Sequence, residues 1–170
     1  MKRGMIFASG LLLGILVYYL TSLFFLVPIN PVFSPNGGYE IIELIDSAEK
    51  SIDIEMYVFT SRDIVEALER AKSRGVQVRI IIERSTISGS NKEIFNELAA
   101  KGFIVKYASK EFQLTHSKFM IVDGKAVFVG SHNFSNSALY KNREASVIIY
   151  NDETAREFQE TFNYDWNLAS

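Results

Sequence analysis

Four polar side chains lie close together in the sequence on either side of a short turn: His116, Lys118, Ser131 and Asn133. An imidazole can act as nucleophile, base or acid near neutral pH, because its ordinary pKa is about 6.5. Ammonium, hydroxyl and amide groups are hydrogen-bond donors suited to an anion. A nucleophile among three such donors predicts a phosphate site and chemistry at phosphorus.

The residues between these polar groups predict a β-hairpin. Apolar runs cover residues 119–122 and 126–129, and an Asp123–Gly124 pair lies between them. Such a pair favours a type I′ turn, which needs positive φ at both central residues. We therefore predict two antiparallel strands that turn at Asp123–Gly124.

The register of a two-residue turn would place the polar groups together. Lys118 would face Val129, and His116 would face Ser131 across the ladder. Because side chains alternate between faces along a strand, Asn133 would join them at the open end of the hairpin. The side chains expected in the core on the opposite face are Phe119, Ile121 and Phe128.

Outside the hairpin, helical and strand patterns alternate along the chain. Helices are predicted over residues 39–50, 62–74, 91–101 and 152–166, and strands over residues 51–60, 76–83, 103–107 and 145–150. This alternation predicts an α/β fold, a layered sandwich whose central mixed, largely parallel sheet is flanked by helices. No internal repeat is visible in the sequence.

The first 27 residues differ in composition from the rest. Residues 5–27 contain no charged side chain, and a helix of that length would span about 34 Å, enough for a bilayer core of about 30 Å. Lys2 and Arg3 precede it, and the next charged residue is Glu40. The positive-inside rule then predicts a single-pass cell-membrane anchor over residues 1–27, with the N-terminus cytoplasmic and the catalytic domain extracytoplasmic. A cleaved secretion signal is the alternative.

The remaining chain divides into a linker and one domain. Residues 28–38 hold all three prolines and predict an extended linker, which leaves residues 39–170 as the catalytic domain.

From Glu40 onward there are 16 basic and 20 acidic residues, a net charge of about −4. This balance excludes binding of a polyanion by bulk positive charge, so a local patch is needed. The basic residues available near the motif are Lys106, Lys110, Lys125, Lys141 and Arg143.

Cysteine and histidine counts limit the chemistry. The absence of cysteine excludes disulfides, thiol catalysis and Cys-based zinc sites. His116 and His132 are the only histidines, which are too few ligands for a histidine-based metal site. We expect neither a metal nor another cofactor.

The spacing of the polar residues carries a family resemblance. The pattern His116-x-Lys118-x4-Asp123-x6-Gly130-Ser131-x-Asn133 resembles the full HKD signature of the phospholipase D superfamily. The resemblance covers residues 32–167 and is strongest to the small bacterial endonucleases that have a single copy of the motif. It implies a phosphodiesterase in which one histidine forms a phosphohistidine while a second protonates the leaving oxygen. With one motif per chain, it also implies a homodimer with a shared active site.

The resemblance assigns roles to individual residues. It implies the catalytic residues His116, Lys118, Asp123 and Glu144 and the substrate-binding residues Lys118, Ser131 and Asn133. Glu144 resembles the acidic partner of the histidine, and Glu55 is a weaker candidate for that role. Asp123 belongs to the signature, but the hairpin makes it a turn residue. His132 is expected to be structural, because it points away from Ser131 and Asn133.

The substrate class stays open between two phosphodiesters. The single motif and the resemblance favour an endonuclease acting on DNA or RNA. The predicted membrane anchor and the acidic balance would instead suit a phospholipase D or cardiolipin-type hydrolase acting on phospholipid headgroups. A third alternative is a catalytically inactive module that binds nucleic acid.

Overall fold

The computed structural model describes residues 10–19, 27–84 and 91–170. Its centre is one seven-stranded sheet, whose strands are β1 (Ile29–Phe33), β2 (Ser51–Met56), β3 (Gln77–Ile82), β4 (Ile104–Tyr107), β5 (Lys118–Val122), β6 (Ala126–Gly130) and β7 (Ala145–Tyr150). The helices of the domain are α1 (Gly37–Asp46), α2 (Arg62–Ser73), α3 (Asn91–Ala100), α4 (Asn136–Tyr140) and α5 (Asp152–Leu168). The predicted helices and strands occur in the predicted order, and the structure adds strand β1 within the predicted linker and the short helix α4 after the hairpin.

Both faces of the sheet are covered, which explains why its central strands are apolar on both sides. One core lies between the sheet and helices α1 to α4, and it contains Ile54, Met120 and Phe128. The second core lies between the sheet and α5, and it contains Phe119 and Phe162. The predicted layered α/β sandwich, with helices on both faces of the sheet, is therefore confirmed.

The expectation of a largely parallel sheet is wrong. The strand order is β1-β7-β6-β5-β2-β3-β4, and only the pairs β2–β3 and β3–β4 are parallel. The other four neighbouring pairs are antiparallel. The physical reason is connection length: helices α2 and α3 provide crossovers between parallel strands, whereas a tight turn joins β5 to β6 and permits only an antiparallel pair.

The predicted hairpin turn is confirmed, but its predicted register is wrong by one residue. Asp123 and Gly124 have φ of 55° and 64°, and the N–H of Lys125 donates to the carbonyl of Val122 at 3.0 Å. Lys125 remains outside the ladder as an additional residue, so Val122 pairs with Ala126.

This shift changes which side chains share a face. Met120 pairs with Phe128, so Phe128 lies on the face of Met120 and not on that of Phe119 as expected. Continued to the strand ends, the same register sets Lys118 opposite Gly130 instead of Val129. Both faces are buried, so the exchange leaves Phe128 in a core, although in the other one.

The N-terminal prediction falls largely outside the described residues. Residues 10–19 are helical, but residues 1–9 and 20–26 of the expected anchor are not described. Within the described ranges, no helix combines the length and the apolar character needed to cross a membrane. Much of the segment predicted as a linker is strand β1, which pairs with β7 from Ile29 to Phe33.

Candidate active site

The polar residues of the motif gather at one edge of the sheet because four strands begin or end there. β2 ends at Met56, and the antiparallel strand β5 begins opposite it at Lys118. β6 ends at Gly130, and β7 begins beside it at Ala145. The residues that lie one to three positions beyond these strand ends are His116, Ser131, Asn133 and Glu144. The topology thus achieves the convergence that the two-residue turn was expected to produce.

His116 is exposed and packs against Tyr57. The centroids of the two rings are 4.4 Å apart, with an angle of 53° between the ring planes. Tyr57 follows the last residue of β2, and its N–H donates to the carbonyl of Ser117 at 3.0 Å. This bond continues the β2–β5 pairing beyond the strands and places the imidazole at the open edge of the sheet.

Lys118 is the buried cation of this edge, with only 8% of its surface exposed. Its Nζ donates to the carbonyl of His116 at 2.8 Å and lies 3.3 Å from Nδ1 of the same residue. Burial lowers the pKa of Lys118, and the charge of Glu144 opposes that effect. Among the described residues Lys118 forms no ion pair within 4.0 Å, so a phosphate oxygen would stabilise its desolvated charge.

Asn133 has one amide atom engaged and the other available. Its Oδ1 accepts a hydrogen bond from the N–H of Val58 at 3.2 Å, whereas its NH2 group makes no hydrogen bond within the described part of the chain. Val58 directly follows Tyr57, so the same stretch of backbone orients Asn133 and supports His116. The free NH2 group can donate to a phosphate oxygen, as the motif predicts.

Ser131 supports Glu144 and is less available to a substrate. Its Oγ donates to Oε2 of Glu144 at 2.5 Å and accepts from the N–H of Ala145 at 3.0 Å. Oε1 of Glu144 accepts from the amide of Asn142 at 3.0 Å. Partial burial would raise the pKa of Glu144, but these two bonds and nearby positive charge hold it below its usual value.

Glu144 is not hydrogen-bonded to His116 within one chain. Its carboxylate is taken up by Ser131 and Asn142, and its charge acts on Lys118. The expected role of Glu144 as the acidic partner of a catalytic histidine therefore stays a prediction. Ionised Glu144 does, however, place a negative charge beside the buried ammonium group.

A family model described as "cardiolipin synthase, PLD-like domain" matches residues 41–166. The chain belongs to the phospholipase D superfamily. The match covers every residue of the site described above, from Tyr57 to Glu144.

Individual relatives agree with this membership. The crystal structure of Nuc from Salmonella typhimurium, a phospholipase D family member, superimposes with a TM-score of 0.79 at 34% identity, over 85% of this chain and 97% of Nuc. A protein named phospholipase D from Rickettsia conorii is 33% identical over 132 residues, which are 76% of this chain and 65% of the relative. A mitochondrial cardiolipin hydrolase from Danio rerio is 30% identical over 76% of this chain and 56% of its own length. The chain thus spans less than two thirds of these two relatives.

The aspartate of the HKD signature lies at the opposite end of the hairpin. Five strand residues at about 3.3 Å each separate Asp123 from Lys118 by about 17 Å. Its carboxylate accepts hydrogen bonds from the backbone N–H groups of Glu49, Lys50 and Ser51 at 2.9, 2.7 and 2.9 Å. Partial burial would raise the pKa of Asp123, but these donors outweigh burial and lower it. The structure thus does not bring Asp123 together with His116. Asp123 instead anchors the turn to the start of β2.

His132 is fully buried and bridges two serines. Its Nε2 lies 2.8 Å from Oγ of Ser34, and its Nδ1 lies 2.6 Å from Oγ of Ser146. Ser34 donates its own proton to the carbonyl of Ala138 at 2.5 Å, so it accepts from Nε2–H, and Ser146 donates to Nδ1. Burial lowers the pKa of His132, and the charge of Glu144 opposes that effect. The neutral imidazole ties β1, β7 and α4 together beneath the site.

Sequence reasoning missed Asn91 as a support of the site. Its Nδ2 donates to the carbonyls of Tyr57 and Glu83 at 2.7 and 2.8 Å, and its Oδ1 accepts from the N–H of Phe59 at 2.9 Å. One buried amide therefore joins the ends of β2 and β3. The sequence signal was ambiguous, because an asparagine at the start of a predicted helix is typical of an N-cap.

The expected basic patch is only partly present. Lys125 lies at the turn with Asp123, away from the site, and Lys106 donates to the carbonyls of Trp166 and Ala169. Arg143 donates to the carbonyl of Ser34 at 3.1 Å. Lys110 and Lys141 are exposed.

Within the described ranges, no group of three or more acidic or histidine side chains is arranged to hold a metal ion.

Proposed function

We propose that this protein is a metal-independent phosphodiesterase of the phospholipase D superfamily, and an endonuclease that cleaves DNA or RNA through a phosphohistidine. The observation that carries the proposal is the arrangement at the sheet edge. An exposed imidazole lies beside a buried ammonium group that has no ion-pair partner in the described chain, and an amide with an available NH2 group lies at the same edge of the sheet. These groups supply a nucleophile and two donors for a phosphodiester.

The first step forms a covalent bond between an imidazole nitrogen of His116 and phosphorus. The P–O bond to the leaving group breaks, and the departing oxygen takes its electron pair and a proton from an acid. Charge on the remaining phosphate oxygens grows in the transition state, where Lys118 and Asn133 stabilise it. Water then attacks phosphorus, the P–N bond breaks, and free His116 is restored.

In the mechanism that the resemblance implies, a second imidazole is the acid of the first step. His132 is buried, and its two ring nitrogens are engaged with serines. The other source is His116 of a second copy of this chain. We therefore include a homodimer in the proposal, with two motifs sharing one site, and the acid of the first step deprotonates the attacking water in the second.

Nuclease activity is the preferred reading because the chain covers 97% of Nuc and resembles the single-motif endonucleases. The competing substrate is a phospholipid headgroup. It is favoured by the names phospholipase D and cardiolipin hydrolase of the sequence relatives. Residues 5–27, which contain no charge, support a single-pass membrane anchor with the catalytic domain outside the cytoplasm.

The deciding experiment offers single-stranded DNA, double-stranded DNA, RNA, and vesicles of phosphatidylcholine or cardiolipin to the full chain in excess EDTA. Cleavage of a nucleic acid with little headgroup release is expected. Headgroup release alone would assign the lipid function instead. Loss of all turnover on chelation would contradict the metal-independent mechanism.

Two variants test the site itself. H116A is expected to lower turnover by about 10³-fold or more while leaving nucleic-acid binding in place. K118M should also lose turnover, whereas the matched variant K50M, at an exposed lysine beside the distant turn, should not. Binding of nucleic acid without any cleavage by the wild-type chain would identify an inactive binding module.

A further inference from the structure

The short segment that carries His116 is held from beneath by two buried carboxylates. His116 and Ser117 precede β5, so the strand ladder does not constrain them fully. The N–H of Thr115 donates to Oε2 of Glu83 at 2.9 Å, and Oγ of Ser117 donates to Oε1 of Glu55 in a short hydrogen bond. Ser117 stands between the two working residues of the motif, so its position determines theirs.

Glu55 lies in an unusual environment for an acidic side chain. Only 2% of its surface is exposed, and it points to the same face of the sheet as Phe119 of the neighbouring strand β5. Its Oε2 is buried and has no hydrogen-bond donor among the described residues. A buried carboxylate oxygen without a donor is unfavourable, because no hydrogen bond offsets the loss of its hydration.

Among the described residues, the cavity lining beside Glu55 provides no cation. Two cations on the same face of the sheet are engaged elsewhere: Arg79 pairs with Asp53, and Lys106 donates to backbone carbonyls of α5 and its C-terminal cap. A small cavity beside it is lined by Asp165 of α5, by Ile81 of β3, and by Ser109, Phe112 and Thr115 of the segment before β5. Asp165 is the only charged neighbour in this lining, and its charge is negative. Lys118 lies on the opposite face of the sheet, because it follows the alternation of Met120.

We propose that Glu55 is a positioning residue, whose buried carboxyl group carries a proton toward Asp165 and holds Ser117, thereby orienting His116 and Lys118 for catalysis. The inference rests on the proposed phosphodiesterase function. It assigns a role to Glu55 that is distinct from direct contact with the histidine.

A proton on Glu55 would remove two unfavourable features: the buried negative charge near Asp165 and the Oε2 atom without a hydrogen-bond partner. The protonated carboxyl group can donate to the Asp165 carboxylate while Oε1 still accepts from Ser117. Burial is the main effect that raises the pKa of Glu55, to about 7; the Ser117 bond lowers it, and Asp165 raises it further. Ionisation of Glu55 therefore falls within the pH range in which a histidine mechanism operates.

Kinetic variants test the positioning role. S117A removes the donor, and E55L removes the acceptor while filling the buried volume. Each is expected to lower kcat about tenfold with KM changed less than twofold, since small displacements of a reacting group lower the rate. The double variant should be no slower than the slower single variant, because both changes break the same bond. E55Q, which can accept from Ser117 and donate to Asp165, should retain kcat within about threefold.

The matched control is E111Q, which neutralises an exposed glutamate in the segment before β5. It should leave kcat and KM unchanged. The positioning role is overturned if S117A and E55L both keep kcat within twofold of E111Q. It is equally overturned if their effects multiply in the double variant.

A second measurement does not depend on activity. Because the chain has only two histidines, NMR can follow each imidazole of the full chain separately through a pH titration. In the wild type, ionisation of Glu55 near pH 7 should displace the His116 ring signals through the Ser117 contact. E55Q should remove this displacement, S117A should shift the His116 ring signals at every pH, and buried His132 should report an unchanged core.

The kinetic and NMR measurements distinguish failure of the proposed function from failure of the positioning role of Glu55. If the wild type cleaves no phosphodiester, the proposed function fails, and the NMR titration still tests the coupling of Glu55 to His116. If the wild type is active but the His116 curves of wild type, E55Q and S117A coincide, the positioning role fails and the phosphodiesterase stands.

Discussion

At the scale of single residues, the carboxylates of Asp123 and Glu144 serve different purposes at opposite ends of the hairpin. Asp123 accepts three backbone N–H donors at the turn, whereas Glu144 accepts from Ser131 and Asn142 at the site edge. Both carboxyl groups have a lowered pKa. The first stabilises the fold, and the second sets the charge around Lys118.

Replacing Asp123 should affect stability more than catalysis. D123A removes the acceptor of three backbone donors, so we expect the free energy of unfolding to fall by about 2–3 kcal/mol. The kcat of the folded variant should stay within about threefold of the wild type. Urea denaturation and steady-state kinetics measure the two effects, and E111A serves as the exposed control. A loss of kcat comparable to that of H116A would instead return Asp123 to the catalytic residues.

The stability contributed by Asp123 has a defined pH dependence. Because its pKa is lower in the folded state, this contribution is complete above the ordinary value of 3.8 and is lost as the pH falls below it. D123A should therefore unfold with a weaker dependence on pH below about 4 than the wild type.

His132 predicts a change of stability at a higher pH. Its pKa is lowered in the folded state from 6.5, so the unfolded chain binds the proton more readily. The stability associated with neutral His132 is complete above pH 6.5 and decreases as the pH falls through that value toward the folded pKa.

The contribution of His132 is measured by comparison with H132Q at pH 7.5, 6.0 and 5.0. Wild type should lose its stability advantage over H132Q as the pH falls. The difference between the two chains is the informative quantity, because the raised pKa of Glu55 acts with the opposite sign. A difference that does not change with pH would show that His132 is not held neutral.

At the scale of elements, the close approach of β6 and β7 determines where the site residues can lie. Gly130 ends β6 opposite Ser146 of β7, and a Cβ on Gly130 would overlap the Cα and Oγ atoms of Ser146. Ser131 and Asn133 follow directly, so the separation of these two strands controls the donors of the site.

G130A should separate the strand ends and damage both stability and turnover. We expect the free energy of unfolding to fall by about 2–3 kcal/mol or more and kcat to fall at least tenfold. Urea denaturation and kinetics provide the measurement. The control is G14A, because a Cβ on Gly14 meets no atom within 4 Å. Wild-type behaviour of G130A would mean that β7 can move without disturbing the site.

At the scale of the whole molecule, one chain supplies a single accessible histidine, whereas the proposed mechanism uses two. His116 is exposed at the sheet edge, whereas His132 is buried in the core beneath it. A shared site between two copies is the arrangement that makes the proposed chemistry complete.

Mixing experiments test this sharing quantitatively. When wild type and H116A exchange subunits freely, only dimers with two His116 side chains should turn over. Total activity should then fall as the square of the wild-type fraction, so that an equal mixture gives about a quarter of the activity of an all-wild-type sample at the same total concentration. A linear dependence, or an active monomer by mass measurement in solution, would refute the shared site.

The sequence by itself determined the order of the elements, the turn at Asp123–Gly124 and the residues of the motif. These features are local, because periodicity, turn chemistry and motif spacing are readable within a few residues. The motif also identified His116, Lys118 and Asn133 as candidate site residues, but the register that was predicted to bring them together was wrong by one residue.

Only the tertiary structure decided which groups hold that pattern in place. Asp123 finds its donors 74 residues away at Glu49, Ser117 meets Glu55 across 62 residues, and Asn91 reaches Tyr57 across 34. The antiparallel majority of the sheet likewise depends on pairings between distant strands. Such contacts leave no periodic signal in the chain, because the free energy of each depends on partners that only folding brings within hydrogen-bond distance.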